Sequence, residues 1–299
     1  MKHLLPESVR AHIRTLRRAF RRSQVRRRTQ TTRAQLADAV RGLGVHDGDV
    51  VFLHSSLSAI GFVVGGPDSV IDAFLDVLGE RGTLAMPSFP FDTYVEDYLA
   101  RTPSFDVAET PSRMGKITEM FRQRPGVRRS VHATHPVVAW GPHSETLVAD
   151  HHRDLRTFGP LSPFHRMCEL GARIVLVGVD YHSMTHLHVV EDIDENFPYN
   201  VYRPELFRVQ VHDVDGLTRD IDFRAHTKQL SSLRDCNKME RYFDEAGILR
   251  RGHVGEAPTH VLDARGVLDT MTRLASCGIT MYADDAVPDA LRKSSRRPN

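Results

Sequence analysis

Residues 174–179 form a continuous apolar run that ends directly before a dense set of titratable side chains. Six apolar residues bounded by Gly171 and Asp180 predict a β-strand that is covered on both faces. Strands of this kind belong to open α/β sheets, in which ligands bind in the crevice beyond the carboxyl ends of the strands. The run therefore predicts an α/β fold with its functional residues after position 179.

Thr185, His188 and Glu191 follow this strand at a spacing that suits base catalysis. If the segment is helical, His188 and Glu191 share one face, because residues three apart on a helix are neighbours. A carboxylate that holds one imidazole nitrogen sets the tautomer and favours proton uptake at the other nitrogen. The pair is our candidate for a general base with its orienting carboxylate. The competing interpretation is a surface ion pair that stabilises the helix by about 0.2–0.5 kcal/mol.

A metal site is a second alternative, because His182 and His186 add imidazoles nearby and several carboxylates follow. Such side chains bind zinc or manganese. His182 and His186 are four apart, as in zinc proteases, but no glutamate lies between them. We therefore expect a site without a metal ion.

Two earlier segments have the composition of anion-binding turns. Residues 49–53 are apolar after Asp49, with two β-branched valines, and predict a short strand. After this strand His54, Ser55 and Ser56 offer hydroxyls and backbone N–H groups at a turn. Residues 111–113 predict the start of a helix, with a hydroxyl cap and a cation where a phosphate could bind. The alternative is that Ser112 only caps this helix.

These segments and others occur in an order that is typical of one enzyme family. The matching motifs are His54-Ser55-Ser56-Leu57-Ser58-Ala59-Ile60-Gly61, Pro111-Ser112-Arg113-Met114-Gly115, Arg129-Ser130-Val131-His132-Ala133-Thr134-His135, Gly159-Pro160-Leu161-Ser162-Pro163-Phe164, Thr185-x-x-His188-x-x-Glu191 and Gly252-x-Val254-Gly255. Together they resemble the aminoglycoside 3-N-acetyltransferase, or antibiotic N-acetyltransferase, family. The resemblance covers roughly residues 33–275, and collinear motifs are far more specific than any single pattern.

The resemblance implies a layered α/β/α fold with a mixed central sheet that carries a CoA-dependent N-acyltransferase. It implies acetyl-CoA, or another acyl-CoA, as co-substrate and an amino sugar as acceptor. The family's base and carboxylate correspond to His188 and Glu191, and Thr185 is placed to donate toward the thioester oxygen. The positions that correspond to coenzyme contacts are Ser55, Ser56, Leu57, Ser58, Ser112, Arg113, Met114 and Gly115. The acceptor contacts that we expect are His54, Asp180, His132, His135 and Asp192.

Two departures from the family pattern bear on the acceptor. Family members usually carry His-Pro-Thr-His-Ser where residues 132–136 read His-Ala-Thr-His-Pro, so the backbone constraint of proline moves by three positions. Residues 191–200, with their Pro198-Tyr199 pair, resemble the branch that acts in polysaccharide and sugar-nucleotide pathways. We therefore predict an amino sugar, free or nucleotide-linked, rather than an aminoglycoside specifically. Aminoglycoside 3-N-acetylation that confers antibiotic resistance is the alternative function.

Two further interpretations come from other classes of protein. The chain could be an arginine-rich binding or scaffold protein with a vestigial transferase site. It could also be a hydrolase with a serine nucleophile beside His188, but no Gly-x-Ser-x-Gly elbow occurs in the sequence. Activity that depends on acyl-CoA distinguishes the transferase from both.

The net charge of +2 conceals a basic amino-terminal extension. Residues 1–33 contain eleven Lys or Arg and one acid, so the remaining residues carry 29 basic and 37 acidic side chains. Val9, Ile13, Leu16 and Phe20 repeat at helical spacing, which predicts an amphipathic basic helix suited to an anionic membrane surface, with nucleic acid the less favoured partner. The alternatives are that the helix packs on the body or on a second subunit, as in a homodimer, or that it is mobile.

Composition predicts one enzyme-sized domain at residues 31–283, after an extension at 1–30 and before a disordered tail at 284–299. With 299 residues and 40% hydrophobic content, the chain can bury a large core. Cys168, Cys236 and Cys277 are odd in number and lack metal-type spacing, which favours a reducing compartment. There is neither a signal-peptide pattern nor an apolar run of about 18 residues, so we expect a cytoplasmic location.

Overall fold

The computed structural model describes residues 30–102 and 104–293. Their strands are, in chain order, β1 (Gln30–Thr31), β2 (Val50–Ser55), β3 (Phe62–Val63), β4 (Thr83–Pro87), β5 (Ser104–Asp106), β6 (Arg128–Arg129), β7 (Val137–Trp140), β8 (Arg173–Val177), β9 (Tyr202–His212), β10 (Thr218–His226), β11 (Leu249–Val254) and β12 (Ala257–Asp263). Their α-helices are α1 (Arg33–Gly42), α2 (Leu57–Ile60), α3 (Gly66–Leu78), α4 (Val95–Leu99), α5 (Lys116–Arg122), α6 (Ser144–Val148), α7 (Pro163–Glu169), α8 (Val189–Ile193), α9 (Lys228–Ser231), α10 (Glu240–Glu245) and α11 (Ala264–Ser276). The predicted extension lies outside the described residues, apart from Gln30, so its membrane or subunit contacts stay predictions.

The central sheet has seven strands in the order β11-β12-β8-β2-β4-β7-β6. Strand β2 pairs in parallel with both β8 and β4, and the outer pairs are antiparallel. The predicted mixed sheet is therefore confirmed. Two smaller sheets, β10-β9-β5 and β1-β3, complete the strand pairing.

Two hydrophobic clusters cover the two faces of the central sheet. Ile174 and Leu176 of β8 belong to one cluster, and the alternating Val175 and Val177 belong to the other. All four side chains are buried, which confirms that the strand has no solvent face. Helices α7 and α11 cover one side, while α1 and α3 cover the other. Since side chains alternate across a strand, the result is the expected three-layer α/β/α arrangement.

Local sequence signals start the main helices. Thr32 forms a capping box with Gln35 at the start of α1, and Asp263 accepts a bond from the Gly266 backbone at the start of α11. Helix α3 begins with Pro67 in its first turn and Asp68 near its positive end, and its apolar stripe is buried. Asp215-Gly216 is a turn signal that predicts a hairpin, and β9 and β10 pair antiparallel on either side of it.

Three sequence-based expectations differ from the structure. Helix α5 begins at Lys116 rather than at residues 111–113, and the left-handed Gly115, with φ 105°, precedes it. The sequence of residues 233–246, which ends before Gly247, predicts one helix, but the structure has a short 3-10 turn, Cys236–Met239, followed by α10. The disordered tail predicted from residue 284 is wrong up to Lys293, because this segment packs on the body.

Contacts of its side chains and backbone hold the 284–293 segment. The Tyr199 hydroxyl donates to the Asp284 carboxylate at 2.8 Å, and Lys238 pairs with the same carboxylate at 2.8 Å. Val287 is buried in the main cluster, and the Lys293 N–H donates to the Pro198 carbonyl. Composition missed these long-range contacts because the local sequence is polar and contains proline.

No helix of the described residues is long and apolar enough to cross a bilayer.

Candidate active site

The candidate site forms where β2 and β8 end side by side. The two strands are parallel neighbours, and Ser55 lies opposite Val177. Their carboxyl ends therefore open at the same edge of the sheet, which is where open α/β sheets bind ligands. After β8 the chain makes two 3-10 turns, Tyr181–Ser183 and Thr185–His188, and then enters α8. This path turns Thr185 and His188 back toward the end of β2.

His188 and Glu191 are in direct contact, as the spacing predicts. His188 Nδ1 lies 2.9 Å from Glu191 Oε2, and both residues are buried. The Tyr282 hydroxyl donates to Glu191 Oε1 at 2.5 Å. Because Glu191 occupies Nδ1, the other ring nitrogen, Nε2, is the one available to a substrate.

His226 is a second imidazole beside the same carboxylate. Its Nε2 atom lies 3.1 Å from Glu191 Oε2, and its ring centre is 5.0 Å from that of His188. Phe158 stacks on both rings, with centroid distances of 5.2 and 5.6 Å. Ligand atoms of His188, Glu191 and His226 lie within 4.8 Å of one another, a donor set that zinc can use. We interpret the cluster as hydrogen-bonded, because both Glu191 oxygens already have N–H or O–H partners.

Burial and charge set the protonation states of this cluster. Burial lowers the pKa of His188 to about 4, although the Glu191 charge opposes the shift. Burial acts to raise the pKa of Glu191, but the charges and hydrogen bonds of His188 and His226 hold that pKa well below its ordinary value. At neutral pH the site therefore contains an ionised carboxylate and a neutral imidazole that can accept a proton.

A cavity of about 260 Å³ lies over His188. It brings together some of the residues that the sequence predicts for catalysis and binding. Those that line it are Thr185, His188, His54, Ser55, Met114 and His135. Aromatic side chains of Phe89, Phe91 and Tyr94 form much of the remaining wall. Burial lowers the pKa of His54 to about 3 and that of His135 well below its ordinary value, so both rings are neutral.

The other predicted coenzyme residues lie outside this cavity. Ser56 and Ser58 have their hydroxyl oxygens 3.2 Å apart around the start of α2, and Leu57 lies between them. Ser112 is buried, and its hydroxyl accepts from the Met114 N–H at 3.1 Å. Ser112 therefore stabilises a loop instead of capping a helix. Arg113 and Gly115 are exposed in the same loop.

Three predicted acceptor contacts also lie away from the cavity. His132 is almost fully buried, and its Nδ1 accepts from the His135 N–H at 3.1 Å, so its position indicates a structural role. Asp180 is exposed and accepts from the Asn237 amide. Asp192 lines a second cavity of about 600 Å³ and accepts from the Tyr202 hydroxyl at 2.6 Å. Burial raises the pKa of Asp192 to about 6.

Sequence reasoning missed His226, Tyr282 and Arg234, which also surround the site. His226 ends β10, Tyr282 follows α11, and Arg234 follows α9. None of them lies near His188 in sequence or carries a recognisable spacing to it. The alternation of β10, in which Ile221, Phe223 and Ala225 are buried, even predicts that His226 faces outward, and a register shift between Arg224 and His226 accompanies its burial.

A mixed α/β sheet with a buried histidine and carboxylate at the carboxyl ends of its parallel strands defines a group-transfer or hydrolytic enzyme of the α/β class. The profile of the aminoglycoside 3-N-acetyltransferase family matches residues 52–276. The chain therefore belongs to this family.

Individual relatives agree with this assignment. Aminoglycoside N(3)-acetyltransferase VII of Streptomyces paromomycinus is 34% identical over 260 residues, covering 80% of this chain and 89% of the relative. Aminoglycoside N(3)-acetyltransferase III of a Salmonella species is 36% identical over 262 residues, covering 79% and 88%. The crystal structure of the acetyltransferase AAC(3)-Xa is 28% identical, with a TM-score of 0.74 over 85% of this chain and 96% of that one. The chain is thus an acetyl-CoA-dependent N-acetyltransferase, which confirms the predicted family, fold and reaction.

Proposed function

We propose that His188 is the general base of this acetyl transfer and that Glu191 orients it. The observation that carries the proposal is the 2.9 Å contact between His188 Nδ1 and Glu191 Oε2. The contact keeps the proton on Nδ1, so Nε2 faces the substrate as a proton acceptor. His188 Nε2 takes a proton from the acceptor amine as the nitrogen attacks the thioester carbonyl. The protonated imidazole is then stabilised by the Glu191 carboxylate, and it returns the proton to the departing thiolate sulfur.

Thr185 is our candidate for the group that stabilises charge on the carbonyl oxygen. It precedes His188 by three residues and lines the same cavity. A hydroxyl aimed at a developing oxyanion typically contributes about 10²–10³ in rate. Thr185 would supply one such hydrogen bond.

The lining of the cavity fits the thioester end of acetyl-CoA. Met114 and Val179 offer apolar surface, and Ser55 offers a hydroxyl beside them. The buried His54 Nε2 has no hydrogen-bond partner among the described residues, so a ligand atom could satisfy it. Ser56, Leu57, Ser58, Ser112, Arg113 and Gly115 stay predicted contacts for the rest of the coenzyme, outside the cavity.

The acceptor has two candidate classes. The relatives named above are aminoglycoside N(3)-acetyltransferases, which supports an aminoglycoside. The Pro198-Tyr199 pair after the Thr-x-x-His-x-x-Glu motif supports a nucleotide-linked amino sugar. Steady-state acetylation of both classes, at matched concentrations, separates them by their kcat/KM values.

Replacement of His188 tests the mechanism. We expect His188→Ala to lower kcat by about 10²–10⁴-fold, because general base catalysis contributes that much, while the affinity for CoA changes little. Release of the CoA thiol, followed with a colorimetric thiol reagent, measures the rate, and calorimetry measures CoA binding. His182→Ala is a matched control, since His182 lines the same cavity from the preceding turn, is exposed and lacks a carboxylate partner on its ring among the described residues. Parental turnover in a folded His188→Ala variant would exclude this base.

We also propose a cytoplasmic location for the enzyme. Acetyl-CoA is an intracellular metabolite, and Cys168, Cys236 and Cys277 are free thiols. Localisation of a tagged protein by cell fractionation tests this, and recovery in a secreted fraction would contradict it.

A further inference from the structure

Arg234 is the sole permanently charged side chain that lines the catalytic cavity in the part of the chain that the structure describes. No carboxylate of these residues lines the cavity. Helix α4 beside it carries Glu96 and Asp97, but Glu96 pairs with Arg203 at 3.4 Å and Asp97 pairs with Lys228 at 2.8 Å. The lining of the cavity therefore presents one permanent positive charge and no carboxylate to a ligand.

The guanidinium of Arg234 has no protein partner within residues 30–102 and 104–293. It takes part in no salt bridge there, and its buried Nε atom has no hydrogen-bond acceptor. A partly buried cation without a partner is unfavourable, because its lost hydration is not replaced. A ligand oxygen would supply the missing acceptor, and a phosphate or carboxylate could bind the planar guanidinium with two parallel bonds.

The backbone around Arg234 is held firmly. Arg234 forms an antiparallel bridge with Tyr282, the residue whose hydroxyl binds Glu191. The neighbouring Asp235 N–H donates to the Met281 carbonyl at 2.8 Å. The pairing of Arg234 with Tyr282 thus positions the Arg234 guanidinium and, through the Tyr282 hydroxyl, the Glu191 carboxylate.

The Arg234 charge affects the catalytic histidine itself. After burial and the Glu191 charge, the Arg234 charge is the next influence on the pKa of His188, which it lowers. It also lowers the pKa of His135 across the cavity. Arg234 and His188 line the same cavity, so an anion on Arg234 lies in the cavity where the bond forms. The pantetheine arm separates the phosphates of CoA from its thioester, which favours the acceptor over the coenzyme as the source of an anion beside His188.

We propose that Arg234 binds a phosphate or carboxylate group of the acceptor and so selects anionic amino sugars. This inference rests on the proposed acetyl transfer at His188. Aminoglycosides carry several ammonium groups, and the Arg234 guanidinium repels them in a cavity that lacks carboxylates. A sugar phosphate, an amino uronic acid or a nucleotide-linked amino sugar complements the cavity, with its ring on the Phe89 and Phe91 wall.

The test compares two acceptors that differ by one anionic group, glucosamine and glucosamine 6-phosphate. For the parent protein we expect a kcat/KM that is about 10–100-fold higher with the phosphate, the range expected for hydrogen bonds to charged groups. In Arg234→Gln this preference disappears, and in Arg234→Lys it is partly retained, because lysine keeps the charge without the planar fork. Arg41→Gln is the matched control: Arg41 is a cation on α1 that pairs with Asp38 and lines none of these cavities. It leaves the preference unchanged.

Calorimetric binding of glucosamine 6-phosphate to the CoA-bound protein gives a readout that needs no turnover. If neither acceptor is acetylated, the proposed acetyl transfer fails for these sugars. In that case weaker binding of glucosamine 6-phosphate to Arg234→Gln than to the parent still supports an anion site at Arg234. An unchanged preference in Arg234→Gln overturns the inference. A higher KM for acetyl-CoA in Arg234→Gln with both acceptors also overturns the inference, because it would assign the anion to the coenzyme. A parent protein that prefers kanamycin to glucosamine 6-phosphate overturns it as well.

Discussion

Replacement of Glu191 by glutamine is the sharpest perturbation of the proposed base. The side chain keeps its size, but one carboxylate oxygen becomes an NH₂ group. Oε2 now accepts from His188 and Oε1 accepts from Tyr282, whereas glutamine has one carbonyl oxygen and cannot accept both hydrogen bonds. If its NH₂ group faces His188, the imidazole proton moves to Nε2 and the base is lost.

We expect Glu191→Gln to lose the general base contribution, which is about 10²–10⁴-fold in kcat/KM. At 1.36 kcal/mol per tenfold, this loss corresponds to about 3–5 kcal/mol of transition-state stabilisation. Thiol release at saturating acetyl-CoA and varied acceptor measures it. Tyr282→Phe retains the His188 contact and removes one donor to Glu191, so its loss is expected to be at most about tenfold. Glu245→Gln, on the exposed face of α10, is expected to behave like the parent. A folded Glu191→Gln protein that binds CoA normally and keeps more than about a third of the parental kcat/KM refutes the orienting role.

Three further predictions concern the oxyanion, the core and acid stability. Thr185→Val is expected to lower kcat by about 10²-fold and Thr185→Ser much less, because serine keeps the hydroxyl; equal rates would remove Thr185 from the mechanism. Phe164→Ala is expected to lower the free energy of unfolding by about 3–5 kcal/mol in urea titrations, because its ring is fully buried between the sheet and Phe158; a loss below about 1 kcal/mol would contradict this packing. Burial lowers the pKa of His186 to about 4, so below its ordinary value of 6.5 the unfolded chain binds a proton that the native protein does not. The free energy of unfolding therefore falls as the pH drops from 7 to 5, by up to about 1.36 kcal/mol per pH unit for this residue. In His186→Gln the free energy of unfolding should fall less steeply between pH 7 and pH 5. The same steepness in the variant and the parent would contradict a contribution from His186.

The sequence patterns of single segments were enough to predict the buried central strand and the contact between His188 and Glu191. Residues 174–179 predict a strand buried on both faces, and residues 174–177 of β8 form one, because four consecutive apolar side chains can avoid water only inside a layered sheet. The three-residue spacing of His188 and Glu191 predicts their contact, because a helical turn is local geometry. Both inferences succeed because neighbours in sequence determine them.

Local signals misled where long-range contacts compete with them. Ser112 has the composition of a helix cap, yet the chain stays extended until Gly115, because the Arg113 N–H donates to the Phe89 carbonyl and Glu119 binds the Ser112 N–H. The segment after Asp284 is polar, yet it packs through Val287 and the carboxylate of Asp284.

The sequence alone determined the layered α/β class, the pair at positions 188 and 191 and, through collinear motifs, the acetyltransferase family. Tertiary structure alone decided what surrounds that pair. His226, Tyr282 and Arg234 come from three separate segments. Only tertiary packing brings the first two onto Glu191 and places Arg234, which has no ion pair with any described residue, in the cavity. The physical reason is that base catalysis needs a local spacing, whereas charge balance in a cavity depends on every segment that reaches it.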